Sequence, residues 1–343
     1  MKCFLHIGTE KTATTTLQEF FNINRSKLLD NGFIYTKSAG KTNNRSLPIV
    51  AYNLDRRDDC TKRFGLNTNE KLLNYQNRTI TNLKKEISSI CKKHSSDSLI
   101  LSSEHIQSRL TDINELKRLK EIIYSLGVSD IYVIIYLRRP AEIANSLHST
   151  AIKAGWSIKS PPSVTVTNFH KTKFSIISSH QATLEKFGAV FGESNLIPRL
   201  FDKQEFENGN IIDDILKVME IPESSFIIPD NLNESLSALG VELICRLNET
   251  IPAWVGNKQN PIRVCLLKFM KELYAGEKYV MPTALFKEYD LFFKESNEWV
   301  RENYFPTKKK LFNDKVPNES SSTLETKELS IIARLITKIL KDK

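Results

Sequence analysis

The stretch LHIGTEKTATTTLQ, Leu5 to Gln18, sets one lysine among small and hydroxyl side chains directly behind an apolar segment. A strand that enters such a loop and leaves it as a helix aims unpaired backbone N–H groups and the positive end of the helix dipole at one point. Gly8, Thr12, Ala13, Thr14, Thr15 and Thr16 supply the turn and its donors, and Lys11 adds a full charge where negative charge develops on a leaving phosphate. An anionic group is expected there. The plainer reading is that threonine clusters cap helices and loop lysines face water. A Walker A loop, G-x-x-x-x-G-K-[ST], is not matched, because Lys11 follows Gly8 by three positions and Ala13 stands where a glycine would be sought. An ordinary nucleotide triphosphatase is therefore disfavoured.

A second segment, YLRRPAEIANSLHSTAIKAG from Tyr136 to Gly155, repeats the strand, loop and helix arrangement. Arg138 falls at the carboxyl end of the strand, the edge where open α/β sheets bind ligands, and Ser146 follows eight residues later. If Pro140 starts the helix, both reach one phosphate. Arginines at strand ends also serve as plain salt-bridge partners, and a serine on a helix is unremarkable. A third group, Leu101-Ser102-Ser103-Glu104-His105, ends another strand. Glu104 or His105 is positioned to accept a proton at the same sheet edge, or else simply to cap the next segment.

The elements that must hold these groups read as strands at 3–7, 33–35, 98–101, 131–137 and 195–200, alternating with amphipathic helices. That alternation predicts an α/β fold with a parallel sheet covered by helices on both faces. Residues 36–78 show little periodicity and read as an insertion and a candidate acceptor-binding region, with a helix resuming behind a Thr79 N-cap. One helix is expected over 174–187. From 232 to 304 the pattern predicts helices only. The chain is thus expected to divide into a core over 1–230, a helical part over 231–312, and a polar linker with a basic amphipathic helix over 313–343.

The chain has 343 residues, 40% of them hydrophobic, and a formal charge of +9 from 49 Lys and Arg against 40 Asp and Glu. This balance excludes a mainly disordered chain and suits a polyanionic ligand. Nucleic acid is disfavoured, since the basic residues lack interleaved aromatics or a recognition motif. Five widely spaced cysteines with no C-x-x-C pair indicate neither a disulfide framework nor a zinc site. With no signal-peptide pattern after Met1 and no apolar run of spanning length, a soluble cytoplasmic protein is expected. The basic helix Leu329 to Leu340 suggests peripheral association with membranes, against the plain alternative of a helix that packs on the body. Of the histidines, His6 reads as a core residue. Trp156 and Phe169 are candidates for stacking on adenine or a sugar, or for ordinary core packing.

Together the loop and the Arg138 segment resemble the sulfotransferase family that uses 3′-phosphoadenosine 5′-phosphosulfate, in particular its bacterial carbohydrate-modifying branch. The family's loop of P-K-[ST]-G-T-T type, which binds the 5′-phosphosulfate, is similar to Lys11-Thr12-Ala13-Thr14-Thr15. Its R-x₇-S signature for the 3′-phosphate is similar to Arg138 through Ser146. Glu10 departs from the family's proline and Ala13 from its glycine, and a methyl at 13 is strained if the loop needs positive φ. The stretches Ile197–Phe206, Asn233–Asn248 and Ser296–Pro306 also resemble this branch. The resemblance implies a P-loop-like core, sulfuryl transfer to a hydroxyl or amine of a glycan, and no metal. Glu104 is then the first choice of base and His105 the second. The rivals are a nucleotide kinase, which would need Mg²⁺, and a non-catalytic nucleotide- or glycan-binding protein.

Overall fold

In the protein's structure, a computed structural model, residues 1–222, 225–230, 236–256, 258–269, 277–320 and 326–341 are described. The chain forms two compact units. The first comprises Met1–Arg138, Ser179–Asn233 and Glu302–Tyr304, and the second Arg139–Ser178, Glu234–Arg301 and Phe305–Lys343. These bounds differ from a division at 230 and 312, because the segment following Arg138 joins the second unit.

The first unit is an α/β layer structure around a five-stranded, wholly parallel sheet. Its strands are β1 (Lys2–His6), β2 (Phe33–Tyr35), β3 (Ser98–Ser102), β4 (Asp130–Leu137) and β5 (Leu196–Leu200), in spatial order β2-β3-β1-β4-β5. β1 lies at the centre, with Cys3 and Leu5 fully buried, which is why it reads as an unbroken apolar run. In register, His6 pairs with Ser102 on one side and Ile134 on the other, so the loops after β1, β3 and β4 leave from one edge.

Helix Thr14–Ile23 packs Leu17, Phe20 and Phe21 against the sheet, in one core cluster with Tyr136, Ile212 and Ile215. The apolar spacing of Leu17, Phe20, Phe21 and Leu28 is interrupted at Asn24, whose carboxamide donates to the carbonyls of Phe20 (2.9 Å) and Ile227 (2.8 Å). A second helix, Arg25–Asp30, follows it. The expected helix over 174–187 is likewise two, Lys173–Ser178 and His180–Phe191, separated at Ser179.

The 36–78 segment is not a loose insertion. Helix Ser46–Ala51 is buried along its whole length, and the Gln76 carboxamide donates to the carbonyls of Ile49 (3.0 Å) and Tyr52 (2.9 Å). The long helix spans Asn69–Cys91 with Thr68 as its cap, accepting from Lys71 N at 3.2 Å, so Thr79 lies inside the helix rather than at its start. A full turn of apolar spacing hid under polar residues, and Leu72 is its first buried contact.

The second unit is mostly helical. It holds helices Pro140–Ala154, Ala238–Asn248, Pro261–Phe269 and Thr283–Phe292, and most of Lys294–Tyr304. Between them lies an antiparallel hairpin, β6 (Trp254–Val255) with β7 (Lys258–Gln259), where helices alone were expected. Such two-residue strands leave no period for a sequence to show. The terminal helix Thr326–Lys341 packs on Ala238–Asn248, with Leu329 and Ala333 buried against Leu243, Ile244 and Leu247. Arg246 donates to Ser330 Oγ at 2.9 Å. Among the described residues no helix is long and apolar enough to cross a membrane.

Two buried histidines make the first unit acid-sensitive. Burial lowers His6, bonded to Ser102 Oγ at 2.8 Å, from 6.5 to about 4. Burial likewise lowers His180, whose Nε2 donates to the Arg138 carbonyl at 2.7 Å, to about 4. Both are held neutral in the fold, so the unfolded chain binds protons more readily below pH 6.5. Their stabilisation is complete above that value and is lost as the pH falls to about 4. Urea midpoints measured across this window should fall steadily, and a flat profile in a His6→Asn, His180→Asn double variant would assign the slope.

Candidate active site

The three loops leaving the sheet edge meet within the first unit. β1 passes into Gly8–Ala13, and the loop begins by extending the pairing with β4: Thr9 N donates to Tyr136 O at 3.1 Å and Tyr136 N to Gly8 O at 2.6 Å. Two residues then take left-handed backbone, Lys11 at φ 71° and Ala13 at φ 55°. An alanine pays about 1 kcal/mol or more for that conformation, so the glycine-like geometry anticipated at position 13 is adopted without a glycine. Ala13 is the N-cap of helix Thr14–Ile23, and no side chain caps that helix. The first-turn N–H groups therefore keep their electropositive character.

The side chains divide. Thr12 is fully buried, its hydroxyl donating to the Thr9 carbonyl at 2.7 Å, so it closes the loop rather than lining it. Thr14 is buried, Thr16 half-buried and Thr15 exposed, while Lys11 is half-buried. Arg138, at the end of β4, donates from Nη1 to the Lys11 carbonyl at 3.0 Å and rests its guanidinium over the Phe201 ring, 5.4 Å from the centroid. The strand-end arginine thus braces the loop that holds the lysine. Ser146 belongs to the second unit, on helix Pro140–Ala154, where its carbonyl accepts from Thr150 Oγ1 at 3.2 Å.

Glu104 follows β3 and lies against Gly8. A Cβ built on Gly8, at φ +92°, would stand 3.0 Å from Glu104 Cβ, so a side chain there would displace the carboxylate's backbone. Two carboxamides aim at that carboxylate: Gln18 Nε2 donates to Oε2 at 2.9 Å, and Asn43 Nδ2 to both oxygens at 3.0 Å. Asn43 is itself oriented by Ser103, whose hydroxyl donates to its Oδ1 at 3.0 Å. Asn44 fixes the segment to the strand end, its Oδ1 accepting from Ser102 N at 2.9 Å. Glu104 is therefore held in one orientation from two sides.

His105 is buried beside it, Nε2 3.6 Å from Glu104 Oε1. Burial lowers its basicity below the ordinary histidine range, opposed by the nearby Glu104 charge. No hydrogen-bond partner is found for either ring nitrogen among the described residues. A neutral imidazole with an open nitrogen next to a carboxylate can relay or accept a proton. Gln18, Asn43 and Ser103 were not singled out from sequence. The adjacent Asn43-Asn44 pair was the one signal available, and it does not say what the amides face.

Phe169 is buried in the core of the second unit, while Trp156 is exposed. Cys3, Cys60, Cys91 and Cys245 are free thiols.

No protein-family model matches the chain, and no solved structure matches it. It is similar to an uncharacterized protein of Archaeoglobus fulgidus, with 28% identity over 216 residues, 61% of this chain. The match covers 54% of that relative, so the chain spans about half its length.

Proposed function

We propose that the protein is a sulfotransferase with a P-loop-like core, moving the sulfuryl group of 3′-phosphoadenosine 5′-phosphosulfate to a hydroxyl or amine of a glycan. One observation carries the reading: the left-handed loop Gly8–Ala13 feeds an uncapped helix, its Lys11 carbonyl is braced by Arg138, and an oriented carboxylate lies across Gly8. The acceptor oxygen attacks sulfur, and the bond from sulfur to the bridging oxygen of the 5′-phosphate breaks. The acceptor's proton passes to Glu104, and the phosphate's charge is met by Lys11 and the first-turn N–H groups. His105 is the second candidate for the proton. Arg138, and Ser146 by resemblance, would serve the 3′-phosphate. Glycan, cytoplasmic location and the absence of a metal requirement belong to the same reading.

The test is ligand-induced stabilisation. 3′-Phosphoadenosine 5′-phosphate should raise the melting temperature more than ATP or AMP without added Mg²⁺, by about 2.7 kcal/mol at a hundred times its Kd. Greater stabilisation by Mg-ATP would instead favour a kinase. Arg138→Lys keeps the charge but loses the planar fork that reaches the Lys11 carbonyl, so it should weaken nucleotide binding nearly as much as Arg138→Ala, by roughly 2 to 5 kcal/mol. Lys11→Ala should reduce turnover more than nucleotide binding, because its charge is needed most in the transition state.

A further inference from the structure

The second unit carries a patch that the proposed transfer does not use. Helix Pro140–Ala154 ends at Gly155, at φ +106°, and a Cβ there would stand 2.5 Å from Ala253 Cβ. The next residues along the chain from this close approach are Trp156 and Trp254. Buried Arg263 locks the two segments, donating to the carbonyls of Ile152 (3.0 Å) and Lys153 (2.9 Å), while Asn248 donates to the Trp156 carbonyl at 2.7 Å. On this braced platform Trp156 is 58% exposed, Trp254 45%, Val255 on the hairpin 59% and Val264 49%. Large apolar side chains grouped in the open indicate a docking surface.

The chain segments that carry these side chains are basic. No acidic residue occurs between Glu142 and Glu185, where Lys153 and Lys159 stand on either side of Trp156, nor between Glu249 and Glu272, where exposed Lys258 lies three residues past Val255. We infer that this patch docks the protein on an anionic lipid surface, with the tryptophans and valines entering the headgroup boundary and the lysines facing the lipid phosphates. Lysines alone would suit any polyanion. Exposed valines, Val255 on the hairpin and Val264 on helix Pro261–Phe269, gain nothing from a soluble polyanion and gain directly from acyl chains. The terminal basic helix does not compete for this role, since Leu329 and Ala333 on its apolar side are buried on helix Ala238–Asn248.

Two of the three tryptophans lie on the patch, so intrinsic fluorescence reports on it. The full chain should co-sediment with vesicles of equal parts phosphatidylcholine and phosphatidylserine, with a blue shift in emission, and should not co-sediment with phosphatidylcholine alone. A Trp156→Ser, Trp254→Ser double variant should lose affinity by on the order of tenfold or more. Lys159→Glu, Lys258→Glu, at exposed positions, should do the same and weaken the salt dependence. The inference is overturned if wild-type protein ignores the anionic vesicles. It is equally overturned if the tryptophan variant binds them as wild type does, or if sedimentation velocity shows the patch closing a dimer that the variant dissolves. Nucleotide-induced stabilisation, measured on the Lys159→Glu, Lys258→Glu variant, should be unchanged, which separates failure here from failure of the sulfotransferase reading.

Discussion

Glu104→Gln is expected to slow transfer to a hydroxyl acceptor by on the order of 10²-fold or more while leaving nucleotide binding within about twofold. The surroundings predict that the variant keeps its shape. Its remaining oxygen can take the Oε2 place and accept from both Gln18 and Asn43, as the carboxylate does now. Its new NH₂ would then fall where Oε1 lies, 3.6 Å from His105 Nε2 and beyond hydrogen-bonding distance. One branch of the Asn43 bond is lost, and Gln18 and the other branch still hold the side chain. Basicity is the principal casualty. Asn43→Ala leaves Glu104 in place but frees its orientation, so turnover should fall by about tenfold. If Glu104→Gln turns over normally and His105→Ala is dead, the proton goes to the imidazole. If both are active and Lys11→Ala is too, the site does no chemistry.

How much of this site the sequence could disclose follows from the range of each interaction. β1 and β4 were legible because strands buried on both faces must be apolar throughout, as Ile131 to Leu137 are. Glu104 and Arg138 were legible because each stands within two residues of such a strand's end, where chain direction alone fixes the edge, and Lys11 because it is the one lysine in the short loop between β1 and the next helix. Asn43 and Gln18 were not, since their contacts with Glu104 cross 61 and 86 residues and an amide gives no periodic signal. The neighbours Arg138 and Arg139 show the limit most sharply. Arg138 turns to the Lys11 carbonyl in the first unit, whereas Arg139 is buried against Asp290, 151 residues away, at 2.9 and 2.5 Å. Nothing in the dipeptide distinguishes them. Thr79 reads as a cap because threonine is a good one, but the helix starts behind Thr68, just ahead of a polar first turn that carries little apolar pattern.

Asp214→Ala is expected to be the most destabilising single change in the first unit, at about 3 to 5 kcal/mol in urea unfolding. Asp214 is fully buried on helix Ile211–Val218 and accepts from four donors: Tyr136 Oη at 2.7 Å, Arg199 Nε at 3.1 Å, Arg199 Nη2, and Glu207 N at 3.2 Å. Tyr136 and Arg199 are register partners on β4 and β5, so one carboxylate ties both strands to a helix. Removing it strands a buried hydroxyl and a partly buried guanidinium, and the unmade bonds cost more than the bonds themselves contributed. Burial and the Asp214 charge push the Tyr136 phenol far above the ordinary tyrosine range, so in the wild-type fold it stays a hydrogen-bond donor to the carboxylate. Tyr136→Phe should cost much less, about 1 kcal/mol, and the Tyr136→Phe, Asp214→Ala double variant should be less destabilised than the sum. The effect should also reach the site. Tyr136 donates its N–H to Gly8 O and accepts from Thr9 N, so a shifted β4 loosens the start of the Gly8–Ala13 loop, and on the proposed reading nucleotide affinity should fall in the folded variant below its unfolding transition. A loss of less than about 1 kcal/mol for Asp214→Ala would mean that water replaces the carboxylate's four bonds, and that the loop does not depend on this anchor.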